Sequence, residues 1–248
     1  MSVSMSLLQV SRKILPPRIV LYGVAGVGKT ALAASTENPV FILTEDGIGS
    51  IEVPCFPLAQ RFSDVSEAIE CLINEENEFK TLVIDSLDWL EPMVWQEVAR
   101  SNNVKSVDDI GYGKGYKIAI DVWRYYLSLI DDLREKKGMT IIQIAHSTIR
   151  RFDSPEHDPY DRYDVKLHSA ASALIQEHAD CVLFSTYRTT TTSKDVGFNS
   201  SVTRAVGSGE RIVRCQERPG FLAKNRYKMP LELPMDWNAI SKFFEAKK

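Results

Sequence analysis

One short stretch, Gly23-Val24-Ala25-Gly26-Val27-Gly28-Lys29-Thr30, constrains this chain more than any other. It has the form G-x-x-x-x-G-K-T, the pattern of a phosphate-binding P-loop. The apolar, strand-prone run Ile19-Val20-Leu21-Tyr22 precedes it, and the strong helix formers Ala31-Leu32-Ala33-Ala34 follow. Strand, glycine-rich loop and helix in that order are what the mechanism requires. Glycines let the backbone turn its N–H groups toward phosphate oxygens, and the helix start adds partial positive charge. The segment from Gly23 to Ala31 is therefore the expected nucleotide cradle. Lys29 is placed to reach the β- and γ-phosphates, and the Thr30 hydroxyl to hold Mg²⁺.

Such a loop belongs in an α/β fold, and the rest of the chain agrees. Short apolar runs at Arg18–Tyr22, Val40–Thr44, Thr81–Asp85, Thr140–Ala145 and Cys181–Thr186 read as strands buried on both faces. Helical patterns at Gly28–Ser35, Val65–Asn74, Leu87–Ser101, Tyr116–Lys137 and Ser169–Ala179 lie between them. In the fourth, Val122, Trp123, Tyr126, Leu129, Ile130 and Leu133 form one stripe. The expected architecture is a mostly parallel central sheet flanked by helices. After Thr186, alternating runs such as Arg211–Cys215 predict antiparallel strands on the sheet edge. A last helix is expected over Trp237–Ala246. Residues 1–17, ending at Pro16-Pro17, read as a flexible leader, and 18–248 as one domain.

Composition narrows the functional classes. The 248 residues contain no apolar run near the ~18 needed to span a bilayer, and no secretion signal is visible. Four dispersed cysteines without a CxxC pair suit free thiols in a reducing cytoplasm. The net charge is −3, yet residues 186–228 hold nine Lys/Arg against three acids. A basic region on an acidic chain suits a polyanion-binding face, although a solvated β-rich surface has the same composition.

Candidate chemistry lies where strands end, because parallel strands bring their C-termini to the P-loop edge. Asp85 ends the third apolar run and is the expected second Mg²⁺ partner beside Thr30. Ser86 follows it, so the water-orienting carboxylate is sought elsewhere. Glu45, at the end of the second strand, is the first choice, with Asp46 as its alternative. A carboxylate capping the turn before Gly47 is the structural reading. His146 ends the fourth strand as a γ-phosphate sensor; Gln143 is a poorer choice because it sits inside that strand.

Two segments suit single-stranded nucleic acid, which is bound by stacking and by cations. One runs from Thr148 to Lys166 without clear helix or strand and carries Arg150, Arg151, Phe152, Arg162, Tyr163 and Lys166. It also carries five acids, which oppose a simple phosphate groove. The other, Gly111–Tyr116, offers Tyr112 and Lys114 between glycines. Lys224 and Arg226, in Ala223-Lys224-Asn225-Arg226-Tyr227, are cations that could reach a phosphate in their own site or a neighbour's.

In order, GVAGVGKT, FILTEDG, LVIDS, IIQIAHS and AKNRY resemble the motifs of RecA-fold P-loop ATPases. AKNRY is similar to the KNR-type motif of RadA and to the Lys/Arg fingers of DnaB-like helicases. GYGKGY, RRFDSPEHDPYDRYDVKLH, RAVGSGER and LAKNRYKMPLELP resemble phage-encoded RecA-core proteins regarded as single-strand annealing proteins or minimal recombinases. That resemblance implies a DNA-dependent ATPase using ATP and Mg²⁺. Glu45 would be the hydrolytic base, His146 would stand where recombinases carry glutamine, and the following segment would bind DNA. Lys224 and Arg226 would act across a subunit interface. The implied partners are single-stranded DNA, further copies in a ring or filament, and a single-stranded-DNA-binding protein, in a bacterial host's cytoplasm and without a membrane. A helicase or loader-like replication accessory shares every nucleotide residue, and a small-molecule kinase also uses a P-loop.

Overall fold

The computed structural model describes residues 15–195 and 201–244, so residues 1–14 of the expected leader and the end of the expected last helix lie outside it. Side chains of Lys194 and Arg204, from the basic window, also lie outside the described ones. Five strands form the parallel centre: β1 (Arg18–Gly23), β2 (Pro39–Leu43), β3 (Thr81–Asp85), β4 (Thr140–Ser154) and β6 (Cys181–Asp195). Their order is β2-β3-β4-β1-β6, so β1, which feeds the P-loop, has a parallel neighbour on each side. Antiparallel β7 (Ser201–Arg214) and β9 (Glu232–Pro234) extend the sheet beyond β6. The result is the α/β fold that the sequence predicts, a mostly parallel central sheet flanked by helices with antiparallel strands at its edge.

Both sheet faces are buried because successive strand residues point to opposite sides and nearly all are apolar. Val20, Tyr22, Ile84 and Ile141 pack on one face with Leu90, Val94, Trp123 and Ile130. That face is covered by α2 (Phe62–Asn74), α3 (Leu87–Ser101), α4 (Lys114–Lys137) and α5 (Ser169–His178). Ile19, Leu21, Phe41, Val83 and Ile144 pack on the other face with Leu32 of α1 (Lys29–Ala34) and Ile240 of α6 (Trp237–Ser241). On the outer side of β2, Phe41 N–H donates to the Pro54 carbonyl, and Phe56 and Ala59 donate back to Phe41 and Leu43.

The main departure from expectation concerns residues 148–166. They are not a loop: β4 continues through His146 to Ser154 and returns as β5 (His157–Val165), an antiparallel hairpin. The polar composition concealed it, because a hairpin projecting from the sheet has little core to face and needs no apolar alternation. A second hairpin, β6–β7, rises beyond Ser185, the residue level with Gly23. Both project from the edge where β1 ends. The helix α4 also starts earlier than expected, at Lys114, after Gly111 and Gly113, whose φ values of 70° and 67° suit glycine. Pro16 and Pro17 are tied down through their carbonyls, which accept from Arg134 and from Ile141 N–H.

Candidate nucleotide and nucleic-acid site

The P-loop connects β1 to α1. Gly23 is required by contact: a Cβ there would lie 2.1 Å from the Ser185 carbonyl oxygen of β6. Gly28 is required by conformation, with φ 99°. Lys29 is buried, and its Nζ donates to the carbonyls of Gly23 (3.1 Å) and Val24 (3.0 Å). Burial lowers its pKa, opposed by the nearby Asp85 carboxylate. The Thr30 hydroxyl donates to Asp85 Oδ2 at 2.7 Å, so both expected Mg²⁺ partners already touch. Burial pushes the Asp85 carboxyl above its ordinary range, against the pull of Thr30. A hydroxyl and a carboxylate are hard oxygen donors, as Mg²⁺ requires. Among the described residues no cluster of three or more His, Cys, Asp or Glu could cage a metal by itself.

A cavity of about 290 Å³ opens here, lined by Gly26, Gly28, Lys29, Thr30, Glu45, Asp85 and His146 among others. Three sequence-derived candidates, Glu45, Asp85 and His146, thus converge with the P-loop. Glu45 lines the cavity, whereas Asp46 is exposed and does not. Ser86, standing where the sequence offered no carboxylate, has a different use. Its hydroxyl donates to Glu45 Oε1 at 2.7 Å, and its backbone N–H and carbonyl bond the Thr44 hydroxyl at 2.8 and 2.7 Å. The end of β2 is thereby fastened to the end of β3. Gln143 is fully buried and accepts from Tyr126 Oη at 2.9 Å, well inside the core.

His146 is held by a residue sequence reasoning missed. Asp88, in the first turn of α3, accepts the His146 backbone N–H at 2.9 Å and faces its Nδ1 at 3.0 Å. Lys166, at the foot of the β4–β5 hairpin, reaches the same carboxylate at 3.5 Å. His146 hydrogen bonds hold the Asp88 carboxyl down at about 2 despite burial. The signal available in sequence was faint: an acid one helical turn beyond Asp85. Nearby, buried Glu91 accepts the His168 backbone N–H with both oxygens at 2.9 Å, and burial raises its pKa to about 7.

The nucleic-acid candidates divide into two groups. Arg150 bonds the Leu167 carbonyl. Arg162 lies 4.2 Å over the Phe152 ring and bonds Glu217 at 2.8 Å, with Asp164 at 3.8 Å. Tyr163 stacks on Phe184 at 5.0 Å. These three brace the hairpin. Arg151 is exposed beside exposed Asp153, Lys166 is 60% exposed, and Tyr112 is fully exposed with φ 49°. Lys114 begins α4.

Lys224 opens the short strand β8 (Lys224–Asn225) and Arg226 follows it; β8 pairs with Cys181 and Val182 at the start of β6. Cys181 is level with Ile19, four residues before Gly23, so roughly 13 Å of strand separates this point from their own P-loop. Lys224 Nζ caps α5 through the carbonyls of Gln176 (2.7 Å) and Glu177 (2.9 Å), and Arg226 bonds Asp180 at 3.0 Å.

All four cysteines are free thiols, and among the described residues no helix is long and apolar enough to cross a membrane. A family model described as AAA domain matches residues 15–227. Among solved structures, the crystal structure of the RadB recombinase is similar at TM-score 0.46 and 16% identity, covering 85% of this chain and 86% of that one. No curated protein matches by sequence.

Proposed function

The chain belongs to the AAA domain family, and from that premise we propose that it is an ATP-dependent, single-stranded-DNA-binding protein of recombinase or annealing type, working as a homo-oligomer. It hydrolyses ATP to ADP and phosphate, and DNA raises the rate. Lys29 neutralises the β- and γ-phosphates. Thr30 and Asp85 hold Mg²⁺, which adds charge neutralisation. Glu45, aimed by Ser86, orients the attacking water. His146 contacts the γ-phosphate. Lys224 and Arg226 act on a neighbouring copy's phosphates, because their own P-loop is at the other end of the sheet.

One observation carries the coupling to DNA. Asp88 joins His146, which lines the nucleotide cavity, to Lys166 of the β4–β5 hairpin. A shift of His146 on γ-phosphate therefore alters a carboxylate that the hairpin shares. The exposed set Arg151, Lys166, Tyr112 and Lys114 then meets phosphates and bases, while Arg150, Phe152, Arg162 and Tyr163 shape the hairpin.

ATP turnover measured with and without single-stranded DNA, beside Lys29→Ala, tests this reading. Turnover that rises with DNA and vanishes in the variant supports it. DNA-independent turnover favours a replication accessory driven by a protein partner, a reading favoured by the internal pairing of Arg162 with Glu217 and Asp164. Phosphoryl transfer to a mononucleotide without DNA would establish a kinase instead.

A further inference from the structure

Arg211 stands out when the charges around the nucleotide cavity are paired off. It lies on β7, outside the strand-end set. A Cβ on Gly28 would meet Arg211 Nη1 at 2.7 Å, so the guanidinium rests directly on the P-loop backbone. Its cross-strand partner on β6 is Tyr187, and directly opposed residues share a sheet face. Tyr187 Oη donates to the Gly26 carbonyl at 3.3 Å. Two neighbouring side chains of the hairpin thus converge on two glycines of one loop.

The other described arginines of this region have partners. Arg188 pairs with Glu210 (3.4 Å) and Glu232 (2.6 Å), and the Arg214 guanidinium lies 4.8 Å over the Phe221 ring. Among the described residues no carboxylate lies within ion-pair distance of Arg211. A cation without an acid, held against a loop whose N–H groups face anions, is a phosphate ligand by its chemistry. The planar guanidinium can give two parallel hydrogen bonds to phosphate oxygens, which an ammonium cannot.

We propose that Arg211 is a nucleotide ligand of this chain's own site, binding the α- and β-phosphates of a nucleoside di- or triphosphate beside Gly28. The level is set by Gly28, since P-loop N–H groups cradle the α- and β-phosphates while the lysine reaches β and γ. Tyr187 holds the loop in register with it. The inference rests on the nucleotide-binding reading and adds a group from the β6–β7 hairpin. Every change in that hairpin is then felt at the nucleotide without passing through a neighbouring subunit.

The test is equilibrium binding of fluorescent ADP and of a slowly hydrolysed fluorescent ATP analogue to the full chain. Wild type, Arg211→Ala, Arg211→Lys and Lys29→Ala are compared. With Arg211→Ala, affinity for ADP and for the ATP analogue should fall by the same factor, roughly tenfold, the scale of hydrogen bonds to charged groups. Arg211→Lys should recover part of the loss. Unchanged affinity for both nucleotides overturns the proposal. A loss confined to the ATP analogue also overturns it, placing Arg211 on the γ-phosphate. Arg211→Lys carries the comparison should the alanine variant not fold. Wild type that binds neither nucleotide would sink the reading of the whole site, an outcome distinct from failure of Arg211 alone.

Discussion

The two ends of the parallel sheet carry charge in opposite ways. At the end where strands begin, Asp180 is met by Arg18 (3.1 Å), Arg134 (3.2 Å) and Arg226 (3.0 Å), and Arg18 also reaches Asp131 at 2.8 Å. Hydrogen bonds from Arg18 hold the Asp180 carboxyl below its ordinary range against the penalty of burial. At the end where strands finish, buried Lys29 rests on two carbonyls and buried Asp85 on one hydroxyl. Burial dominates there and moves both groups toward neutrality. Charges that hold the fold are matched by countercharges inside the chain. In the proposed function, the charges at the P-loop end rest on weaker neutral partners, which a phosphate or a cation can displace.

Removing Lys29 is the harshest test of this contrast. Lys29→Ala should leave the fold intact and lower kcat/KM for ATP by at least ~100-fold, since a preorganised charge on the transferring phosphoryl group is lost. A melting temperature that collapses with activity would mean Lys29 is structural after all. Glu45→Gln should cut kcat by about 100-fold with nucleotide affinity kept, within the range typical of a general base. Equal loss in affinity and turnover would remove Glu45 from the water-orienting role.

The opposite ends should also respond oppositely to loss of a carboxylate. Asp180→Asn leaves three arginines short of their acid and should cost about 3–5 kcal/mol in chemical denaturation. Asp85→Asn removes a carboxylate whose ionised form is penalised, and should be neutral or stabilising by about 1 kcal/mol at pH 7. The pH dependence has matching signs. Asp180, depressed in the fold, stabilises above its unfolded pKa, and that stability is lost as pH falls below about 4. Asp85, raised in the fold, stabilises below its unfolded pKa and loses that contribution as pH rises through its folded value. Stability profiles of the two variants against wild type should therefore diverge at opposite ends of the acid range. Parallel profiles would break the comparison.

Arg226 belongs to the structural end yet is 53% exposed, so it tests where the boundary lies. Mixing inactive Lys29→Ala with inactive Arg226→Ala should restore part of the turnover if Arg226 serves a neighbour's site. No recovery would confine Arg226 to the ion network. A last test concerns Glu91, with its pKa of about 7. Glu91→Gln should match wild type near pH 5 and exceed it by ~2 kcal/mol near pH 8, where the native carboxylate must ionise in a buried place. A difference independent of pH would assign the effect to packing.

The parallel core was legible because buried strands are continuous apolar runs, and Thr81–Asp85 and Leu87–Ser101 begin and end where their patterns do. That Glu45, Asp85 and His146 line one cavity was legible because fold topology brings strand ends together. The β4–β5 hairpin was not, since Arg162 and Phe152 stabilise it through cross-strand stacking that leaves no periodicity in the chain. Ser86, Asp88 and Arg211 were also hidden. Each acts through residues distant in sequence, among them Glu45, His146 and Gly28 respectively, and no local pattern records such a pairing.

The segment running beside β2 bears on how copies of this chain can meet. An open strand edge is a template on which another chain can crystallise its own backbone. Here residues 54–59 occupy that rim through the bonds at Phe41 and Leu43. Those bonds occupy the Phe41 N–H and the carbonyls of Phe41 and Leu43, groups that could otherwise recruit a strand, the route that tends toward fibres.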